Sequence, residues 1–381
     1  MEIPPFVLPA PGKPPARPPL PKISIEEHFD HPAVSTLAGT RSAATGPLGG
    51  GLRPDGSTGA ATSAATSAAT SANDVDAPAR ALGLEPAWFR AVYERLFEFD
   101  AKRIAAMDAG HVGTSILSLT TPGVQGIPDG RRAAAAAREI NDYLAGQVIA
   151  KHPDRYAGFA TLALQDPAAA ARELERCVTK LGFKGALING YTNTADPASG
   201  EYLDEPKFWP FWEAAESLGV PIYLHPRTQL EQRAYQGHRE LVGAVWGFGT
   251  ETAMHTLRLV FGGVFDRFPK LTVILGHMGE MLPYFSWRIQ HLFEHNPFGK
   301  KIERRLEDYL CENFYISTSG CWSDQALICA LLMVGADRLL FAVDYPYERM
   351  DVASEWLDRA PISENDRRKI AHGNARSLFR L

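Results

Sequence analysis

The chain has 381 residues, 45% of them hydrophobic, which is enough for one large α/β barrel or two ordinary domains. Its formal net charge of −5 and its scattered Lys and Arg residues argue against a nucleic-acid partner, which usually meets a basic face. No segment reaches the roughly 18 consecutive apolar residues of a membrane span, and no CxxC pair indicates a zinc ribbon or a redox site. We therefore expect a cytoplasmic protein with no membrane partner.

Two low-complexity segments interrupt the chain. Residues 1–21 are proline-rich and are predicted to form a flexible N-terminal arm outside the folded domain. Residues 39–73 contain GPLGGG and three copies of Ala-Ala-Thr-Ser, and such small residues bury too little apolar surface to offset the entropy of ordering. We expect a flexible insertion there, within a single domain that spans residues 22–381.

The remaining sequence alternates short β-rich runs with amphipathic helical patterns, always strand before helix. The predicted strands are Lys22–Glu26, Thr114–Leu119, Tyr156–Leu162, Lys184–Ile188, Val220–Leu224, Leu271–Leu275, Phe314–Thr318 and Arg338–Val343. The predicted helices are Glu85–Ala109, Arg131–Lys151, Pro167–Leu181, Lys207–Leu218, Thr250–Phe268, Tyr284–His295, Asp324–Val334 and Glu364–Phe379. The strands are apolar with little alternation, as in parallel strands covered on both faces. Eight such repeats predict a (β/α)8 TIM barrel. The alternative, a doubly wound open sheet, usually has a glycine-rich loop where this chain has Glu-Glu-His.

Residues of the types that can bind metals lie at the ends of four of the predicted strands. They are Glu26 and His28 at the end of the first strand, His225 after the fifth, His277 and Glu280 after the sixth, and Asp344 after the eighth. In a TIM barrel these strand ends meet at one rim, which carries the catalytic residues. Because alternate side chains of a strand share a face, Glu26 and His28 are expected to point into the barrel and Glu27 away from it. Two carboxylates with imidazoles suit a divalent ion such as Zn2+ or Mn2+.

Each of these residues also has a purely structural interpretation. A single histidine at a strand end is more often a hydrogen-bonded polar residue than a ligand. Glu26 alone fits a salt bridge at the rim, and Asp344 alone fits the N-cap of the following helix. The coincidence of such groups at one end of four strands favours the metal site.

Several long motifs resemble the hydroxybenzoate decarboxylase branch of the amidohydrolase superfamily, near the γ-resorcylate (2,6-dihydroxybenzoate) and 2,3-dihydroxybenzoate decarboxylases. They include KISIEEHF, VPIYLHPR, LTVILGHMGEMLPYFSWRIQH and LLFAVDYPYE, in the family's order. The first strand carries Glu26-x-His28, the pattern of this branch, where ordinary amidohydrolases carry His-x-His. The fourth strand ends in Asn189 and not in the carboxylated lysine that bridges two metals in binuclear hydrolases, so a single ion is expected.

The resemblance implies a role for each candidate residue in the metal site. The implied ligands of one divalent ion per subunit, Zn2+ first and Mn2+ as the alternative, are Glu26, His28, His225 and Asp344. His277 and Glu280 would form a catalytic dyad beside the ion, in which Glu280 orients the imidazole. Asp344 would also act as the proton donor.

Three further residues are implied to bind the substrate, a small aromatic carboxylic acid. Tyr347 and Asn189 would line the pocket, and Arg288 would reach into the site of a neighbouring subunit. The resemblance therefore implies a homo-oligomer, a dimer or a tetramer.

The implied activity is metal-dependent, non-oxidative decarboxylation of ortho-hydroxylated benzoic acids, which releases CO2 and a phenol and is reversible in principle. The ring substituents stay open among 2,6-dihydroxy-, 2,3-dihydroxy-, methylsalicylic and carboxyvanillic acids. The alternative is a mononuclear hydrolase of a lactone or an amide, because the same ligands could activate water. A third hypothesis, a binding barrel without metal or catalysis, fits poorly with a full set of ligand positions.

Overall fold

The computed structural model describes residues 18–34, 84–196 and 198–381, together with residues 45–46, 49–50 and 79. Most of the predicted arm at 1–21 and most of the predicted insertion at 39–73 lie outside these described residues. The first barrel strand begins at Lys22, directly after the predicted arm.

Eight parallel strands form a closed barrel. They are β1 (Lys22–Phe29), β2 (Val112–Leu119), β3 (Tyr156–Gly158), β4 (Ala186–Asn189), β5 (Ile222–His225), β6 (Val273–Leu275), β7 (Phe314–Ser317) and β8 (Leu339–Leu340). Strands β1 to β3 form one sheet and β4 to β8 another, each in chain order. Parallel bridges from Ala160 to Ala186 and from Glu27 to Tyr345 join the two sheets and close the ring. The predicted TIM barrel is confirmed.

Helices surround the barrel. They are α1 (Pro86–Leu96), α2 (Ala101–Ala109), α3 (Gly130–Tyr143), α4 (Pro167–Lys180), α5 (Trp209–Leu218), α6 (Gly247–Phe261), α7 (Val264–Arg267), α8 (Leu282–His295), α9 (Leu306–Glu312), α10 (Asp324–Val334), α11 (Met350–Arg359), α12 (Glu364–Arg368) and α13 (Asn374–Phe379). Short antiparallel pairings join Thr192–Asn193 to Gly200–Glu201 and Thr45–Gly46 to Gly49–Gly50. None of the described helices combines the length and apolarity that a membrane crossing requires.

The helix predicted over residues 85–109 is two helices. The carboxylate of Glu98 accepts hydrogen bonds from the backbone N–H groups of Lys102 and Arg103 at 3.1 and 2.7 Å. These donors belong to the first turn of α2, where no intrahelical acceptor exists, so Glu98 starts a new helix there. The helix predicted over 250–268 is also divided, since α6 ends before Gly262-Gly263 and α7 begins after them.

Apolar side chains form two layers, one inside the barrel and one between strands and helices. The inner layer includes Ile116 of β2, Phe159 just after β3 and Ile274 of β6. Phe379 of α13 belongs to the same layer and packs on Phe159 with ring centroids 5.6 Å apart. The inside of the barrel is therefore a packed core, and the candidate chemistry is confined to the rim above it.

Strand β1 contains one extra residue. Ser24 pairs with Ser115 and Glu27 pairs with Leu117, so three steps along β1 match two steps along β2. A bulge of this kind re-aims the side chains that follow it. Ile25 belongs to the inner apolar layer, and its neighbour Glu26 also faces the inside of the barrel, where its carboxylate meets Tyr223 of β5. In a strand whose side chains strictly alternate between the two faces, the neighbours Ile25 and Glu26 could not both face the inside of the barrel.

Candidate metal centre

Four side chains from the ends of two strands, β1 and β5, and from the loop after β8 converge at the rim of the barrel. They are Glu26, His28, His225 and Asp344, and one potential ligand atom from each lies within 4.8 Å of the others. Glu26 Oε1 is 3.3 Å from His225 Nε2 and 3.7 Å from His28 Nε2. His28 Nε2 is 3.2 Å from Asp344 Oδ1. The structure thus brings together all four residues expected to bind the metal.

The atoms that face each other in this cluster fit a divalent ion. Glu26 Oε1 and His28 Nε2 are buried and have no hydrogen-bond partner within the described part of the chain. Buried polar atoms without partners are costly, and a cation shared by several lone pairs removes that cost. Ser118 Oγ lies 3.3 Å from the other ring nitrogen of His28 and fixes the ring's orientation. Two carboxylates and two imidazoles would therefore hold one ion here.

Charges within the cluster set the pKa values of its members. Burial opposes ionisation of Glu26, but the imidazoles of His277, His225 and His28 outweigh burial and hold the pKa of Glu26 well below its usual value. Burial lowers the pKa of His28, but the nearby carboxylates of Asp344 and Glu26 outweigh burial and raise that pKa to about 9. Burial keeps the pKa of His225 below its usual value. Because a ligand imidazole must be neutral, a metal ion and a proton compete for His28.

His277 and Glu280 form the expected dyad beside the cluster. His277 Nδ1 lies 2.8 Å from Glu280 Oε1, and Glu280 is only 3% exposed. The opposite nitrogen, Nε2, lies 3.6 Å from Asp344 Oδ2 and 3.8 Å from Glu26 Oε1. Burial lowers the pKa of His277, but the charges of Glu280 and Glu26 outweigh it and raise that pKa well above its usual value. The imidazole is thus held with its Nε2 edge toward Asp344.

Backbone strain is concentrated at these residues. Asp344 has φ of +80°, and His277 and Glu280 have φ of +49° and +51°. Residues other than glycine rarely adopt this region, and such strain is characteristic of functional sites. At Asp344 the conformation is held by hydrogen bonds from its N–H to the Glu26 carbonyl at 2.9 Å and from the Glu348 N–H to its own carbonyl at 3.1 Å.

Two of the three residues expected to bind the substrate lie close to the cluster. The Tyr347 ring meets the His28 ring edge-on at a centroid distance of 5.8 Å, and its hydroxyl is 2.7 Å from Thr120 Oγ1. Asn189 is buried at the end of β4, where its Nδ2 donates to the Leu119 carbonyl at 3.2 Å and its Oδ1 has no partner among the described residues. Arg288 is exposed on α8 and is not brought to the site by its own chain.

Sequence reasoning missed several buried partners of the site. Glu27 points out of the barrel as expected, but it is fully buried and accepts hydrogen bonds from Ser24 Oγ and, at 3.3 Å, from the Val343 N–H. Arg103 of α2 is also fully buried and donates to the carbonyl of His28 at 2.7 Å. The contact between Arg103 and His28 could not be predicted, because a charged residue in an amphipathic helical pattern usually faces the solvent. Tyr223 was missed too, although it lies two residues before His225 on the same face of β5.

Comparisons with known proteins agree with this geometry. The profile of the amidohydrolase family matches residues 87–381. A γ-resorcylate decarboxylase of Polaromonas sp. (strain JS666) is 50% identical over 294 residues, which cover 75% of this chain and 89% of that protein. A structure of a dihydroxybenzoic acid decarboxylase from Polaromonas sp. JS666 holds manganese and the inhibitor 2-nitroresorcinol. It is 42% identical, with a TM-score of 0.80, and covers 94% of this chain and 97% of its own.

A structure of 2,6-dihydroxybenzoate decarboxylase complexed with 2,6-dihydroxybenzoate is also similar. It has a TM-score of 0.80 and 42% identity, and it covers 94% of this chain and 99% of its own. Similarity over nearly the whole length of these relatives, together with the Glu-x-His motif on β1, decides the assignment. The chain belongs to the amidohydrolase family, in its branch of hydroxybenzoate decarboxylases.

Proposed function

We propose that the chain is a divalent-metal-dependent decarboxylase of ortho-hydroxylated benzoic acids, with 2,6-dihydroxybenzoate as the first substrate to test. The observation that carries the proposal is the set of Glu26, His28, His225 and Asp344 around buried, unpartnered ligand atoms, with the His277–Glu280 pair beside it. The substrate is proposed from the relatives, since proteins 42–50% identical to this chain are named for decarboxylation of this acid.

The chemistry of the substrate explains why the site needs a proton donor. Direct loss of CO2 from an aromatic ring would leave an electron pair in the ring plane, where the π system cannot stabilise it. If the ring carbon that bears the carboxylate is protonated first, an ortho oxygen can push electrons into the ring. The C–C bond then breaks, its electron pair restores the aromatic ring, and CO2 leaves.

Each residue of the site has a separate proposed role in this reaction. Glu26, His28, His225 and Asp344 would hold a divalent ion, which would supply Lewis acidity to the substrate. Asp344 would deliver the proton to the ring carbon, for which it must come within hydrogen-bond reach of that carbon. His277, oriented by Glu280, would hold the proton that returns to Asp344 or bind the hydroxyl of the ring. Tyr347 would form a wall of the pocket beside His28, with Asn189 at the end of β4.

The identity of the ion is proposed from ligand type and from the relatives. Imidazole and carboxylate ligands suit both zinc and manganese. The sequence favoured Zn2+ with Mn2+ as the alternative, whereas a similar structure holds manganese. We propose Mn2+ as the ion to test first and Zn2+ as the alternative.

Assembly into a homo-oligomer is part of the proposal. Arg288 is exposed, and so are Tyr284 and Trp287 of the same helix, with relative exposures of 78% and 63%. Large aromatic residues on a surface are typical of a protein contact. An arginine on such a face could enter the site of a neighbouring copy and bind the substrate carboxylate.

A single experiment tests the proposed function. The purified protein is analysed for bound metals, then depleted and reloaded with Mn2+ or Zn2+. It is offered 2,6-dihydroxybenzoic, 2,3-dihydroxybenzoic, 6-methylsalicylic and 5-carboxyvanillic acids and, separately, lactones and amides. The expected result is one metal ion per chain and release of CO2 with the matching phenol. Hydrolysis of lactones or amides without any CO2 release would favour the hydrolase alternative and contradict the proposal.

A further inference from the structure

Directly beneath the ligand cluster, the inside of the barrel contains a layer of hydroxyl groups. Tyr223 of β5, Ser317 of β7 and Ser319 just after β7 are each fully buried. The Tyr223 hydroxyl lies 2.8 Å from Ser317 Oγ, which lies 3.0 Å from Ser319 Oγ. Ser319 Oγ in turn accepts a hydrogen bond from the His277 N–H at 3.1 Å. The three hydroxyls form one continuous chain across the barrel.

The composition of this layer is unusual for its place in the fold. The interior of a TIM barrel is normally filled by bulky apolar side chains. A hydroxyl group buried there is unfavourable unless it is hydrogen-bonded. Phenylalanine at position 223 would fill the same space without that requirement. The hydroxyl of Tyr223 therefore calls for an explanation beyond packing.

That hydroxyl donates its hydrogen bond to Oε2 of Glu26, and Ser317 Oγ lies 3.4 Å from the same oxygen. The other carboxylate oxygen, Oε1, has no hydrogen-bond partner within the described ranges and faces His225 and His28. One oxygen of Glu26 is thus bound to the protein, and the other is left for the ligand cluster. This arrangement favours binding of an ion through Oε1 alone.

The space around these contacts leaves no room for another side chain. A Cβ atom at Gly276 would lie 2.9 Å from the Tyr223 hydroxyl and 3.1 Å from Glu26 Oε2. It would also lie 3.2 Å from Ser319 Oγ. Glycine before His277 therefore allows the tyrosine, the carboxylate and the serine to meet at one point.

We infer that Tyr223 is a positioning residue, whose hydroxyl fixes the carboxylate of Glu26 for one-oxygen metal binding. Ser317 and Ser319 extend this hydroxyl layer to the backbone of His277. The inference rests on the proposed metal site and adds a residue that does not touch the ion itself. Losing such an outer hydrogen bond typically weakens metal affinity or activity by about 10–100-fold.

The test compares Tyr223→Phe with the wild type in Mn2+ binding. Metal-depleted protein is titrated with Mn2+, and free Mn2+ is followed by electron paramagnetic resonance. We expect at least about 10-fold weaker binding in the variant, and an altered spectrum of the bound ion because both oxygens of Glu26 become available. Tyr156→Phe is the matched control, since Tyr156 is buried and its hydroxyl donates to the Phe99 carbonyl at 2.6 Å, away from the cluster.

Ser317→Ala serves as a second variant, which keeps the tyrosine and removes one hydroxyl from Glu26 Oε2. Circular dichroism of the metal-free proteins checks folding before any titration. Wild-type affinity and spectrum in both Tyr223→Phe and Ser317→Ala would overturn the inference, as would an equal loss in Tyr156→Phe. If the wild type binds no Mn2+, or if Glu26→Gln binds it as tightly as the wild type, the proposed metal site itself fails.

Discussion

The backbone N–H of Asp344 donates a hydrogen bond to the carbonyl oxygen of Glu26 at 2.9 Å. The next bond along this seam runs from the His28 N–H to the Tyr345 carbonyl at 2.7 Å. These two bonds join the segment after β8 to β1 and close the barrel. The two carboxylates of the proposed metal site therefore stand side by side because the first and last strands meet.

Asp344→Asn is expected to abolish decarboxylation while the protein keeps its metal. The amide has the shape of the carboxylate but cannot deliver a proton, and loss of a proton-transfer group typically costs about 10²–10⁴-fold in rate. Glu26, His28 and His225 remain to hold the ion. Turnover and metal content are measured on the same preparation, with Asp351→Asn in the following helix as the control. Near-wild-type turnover in Asp344→Asn would refute its role as the proton donor.

Glu280→Gln is expected to lower kcat and leave the dissociation constant for Mn2+ within about twofold of wild type. The reason is that Glu280 contacts His277 Nδ1 and none of the four proposed ligands. Loss of such an orienting carboxylate typically costs about 10–100-fold. Steady-state kinetics and metal titration separate the two effects. A large loss of metal affinity with unchanged kcat would show that Glu280 serves the ion and not the imidazole.

The rim residues could be predicted because parallel strands of a barrel all end on one side. The strand order and this rule are enough to place Glu26, His225 and Asp344 at the same rim. The bulge in β1 could not be predicted, since KISIEEHF gives no sign that one residue is unpaired. Tyr223 lies in an apolar strand, where a tyrosine is usually a core residue. Only the contact across the barrel with Glu26 distinguishes it from one.

The helices were predicted less well than the strands. The pattern at 364–379 predicts the eighth helix, but α11 (Met350–Arg359) follows β8 directly and occupies that place. The predicted helix is divided by a π-helical turn at Lys369–Gly373. Periodicity alone cannot locate such a turn, because an added residue shifts the register without changing the composition.

Arg288→Ala is expected to raise KM for the benzoate substrate without changing metal content, because the guanidinium would bind the substrate carboxylate of a neighbouring copy. Mixing the subunits of two different variants tests more directly whether Arg288 acts across the interface. At substrate concentrations well below KM, Arg288→Ala and Asp344→Asn subunits are each expected to have little activity. A mixed oligomer, however, contains sites with an intact Asp344 and a neighbour's intact Arg288. Partial recovery of activity after mixing and re-equilibration is therefore expected. No recovery, although exchange of subunits is verified, would contradict a role across the interface.

Asp358→Asn is expected to destabilise the fold by about 3–5 kcal/mol, because it leaves two buried cations without their shared carboxylate. Lys22 Nζ and Arg367 each lie 3.0 Å from Asp358 Oδ1, and both cationic side chains are fully buried. The control is Asp337→Asn, since Asp337 pairs with Lys369 at the surface and its side chain is 75% exposed. Water and salt screen such an exposed pair, so it contributes little to stability. Denaturant unfolding measures both variants, and equal losses would contradict the argument.

His255 is expected to make the fold sensitive to acid. It is buried, and its Nε2 accepts a hydrogen bond from the Leu203 N–H at 3.0 Å, which requires the neutral ring. Burial, assisted by the charge of Arg258, lowers its pKa from 6.5 to about 3. Because the folded pKa is depressed, the unfolded chain binds the proton first as the pH falls. The stability from this group is complete above pH 6.5 and declines by about 1.4 kcal/mol per unit below it, down to about pH 3.

His255→Gln removes this titration and can keep the acceptor for Leu203. The free energy of unfolding is measured in EDTA at pH 7.5 and pH 5, so that metal binding does not contribute. Between these values the wild type is expected to lose about 2 kcal/mol more than the variant, since one proton is bound on unfolding. His238→Gln, at an exposed position, is expected to behave as the wild type. An equal decline in His255→Gln and wild type would mean that His255 already carries its proton in the fold, and the hydrogen bond from Leu203 would then have to be absent.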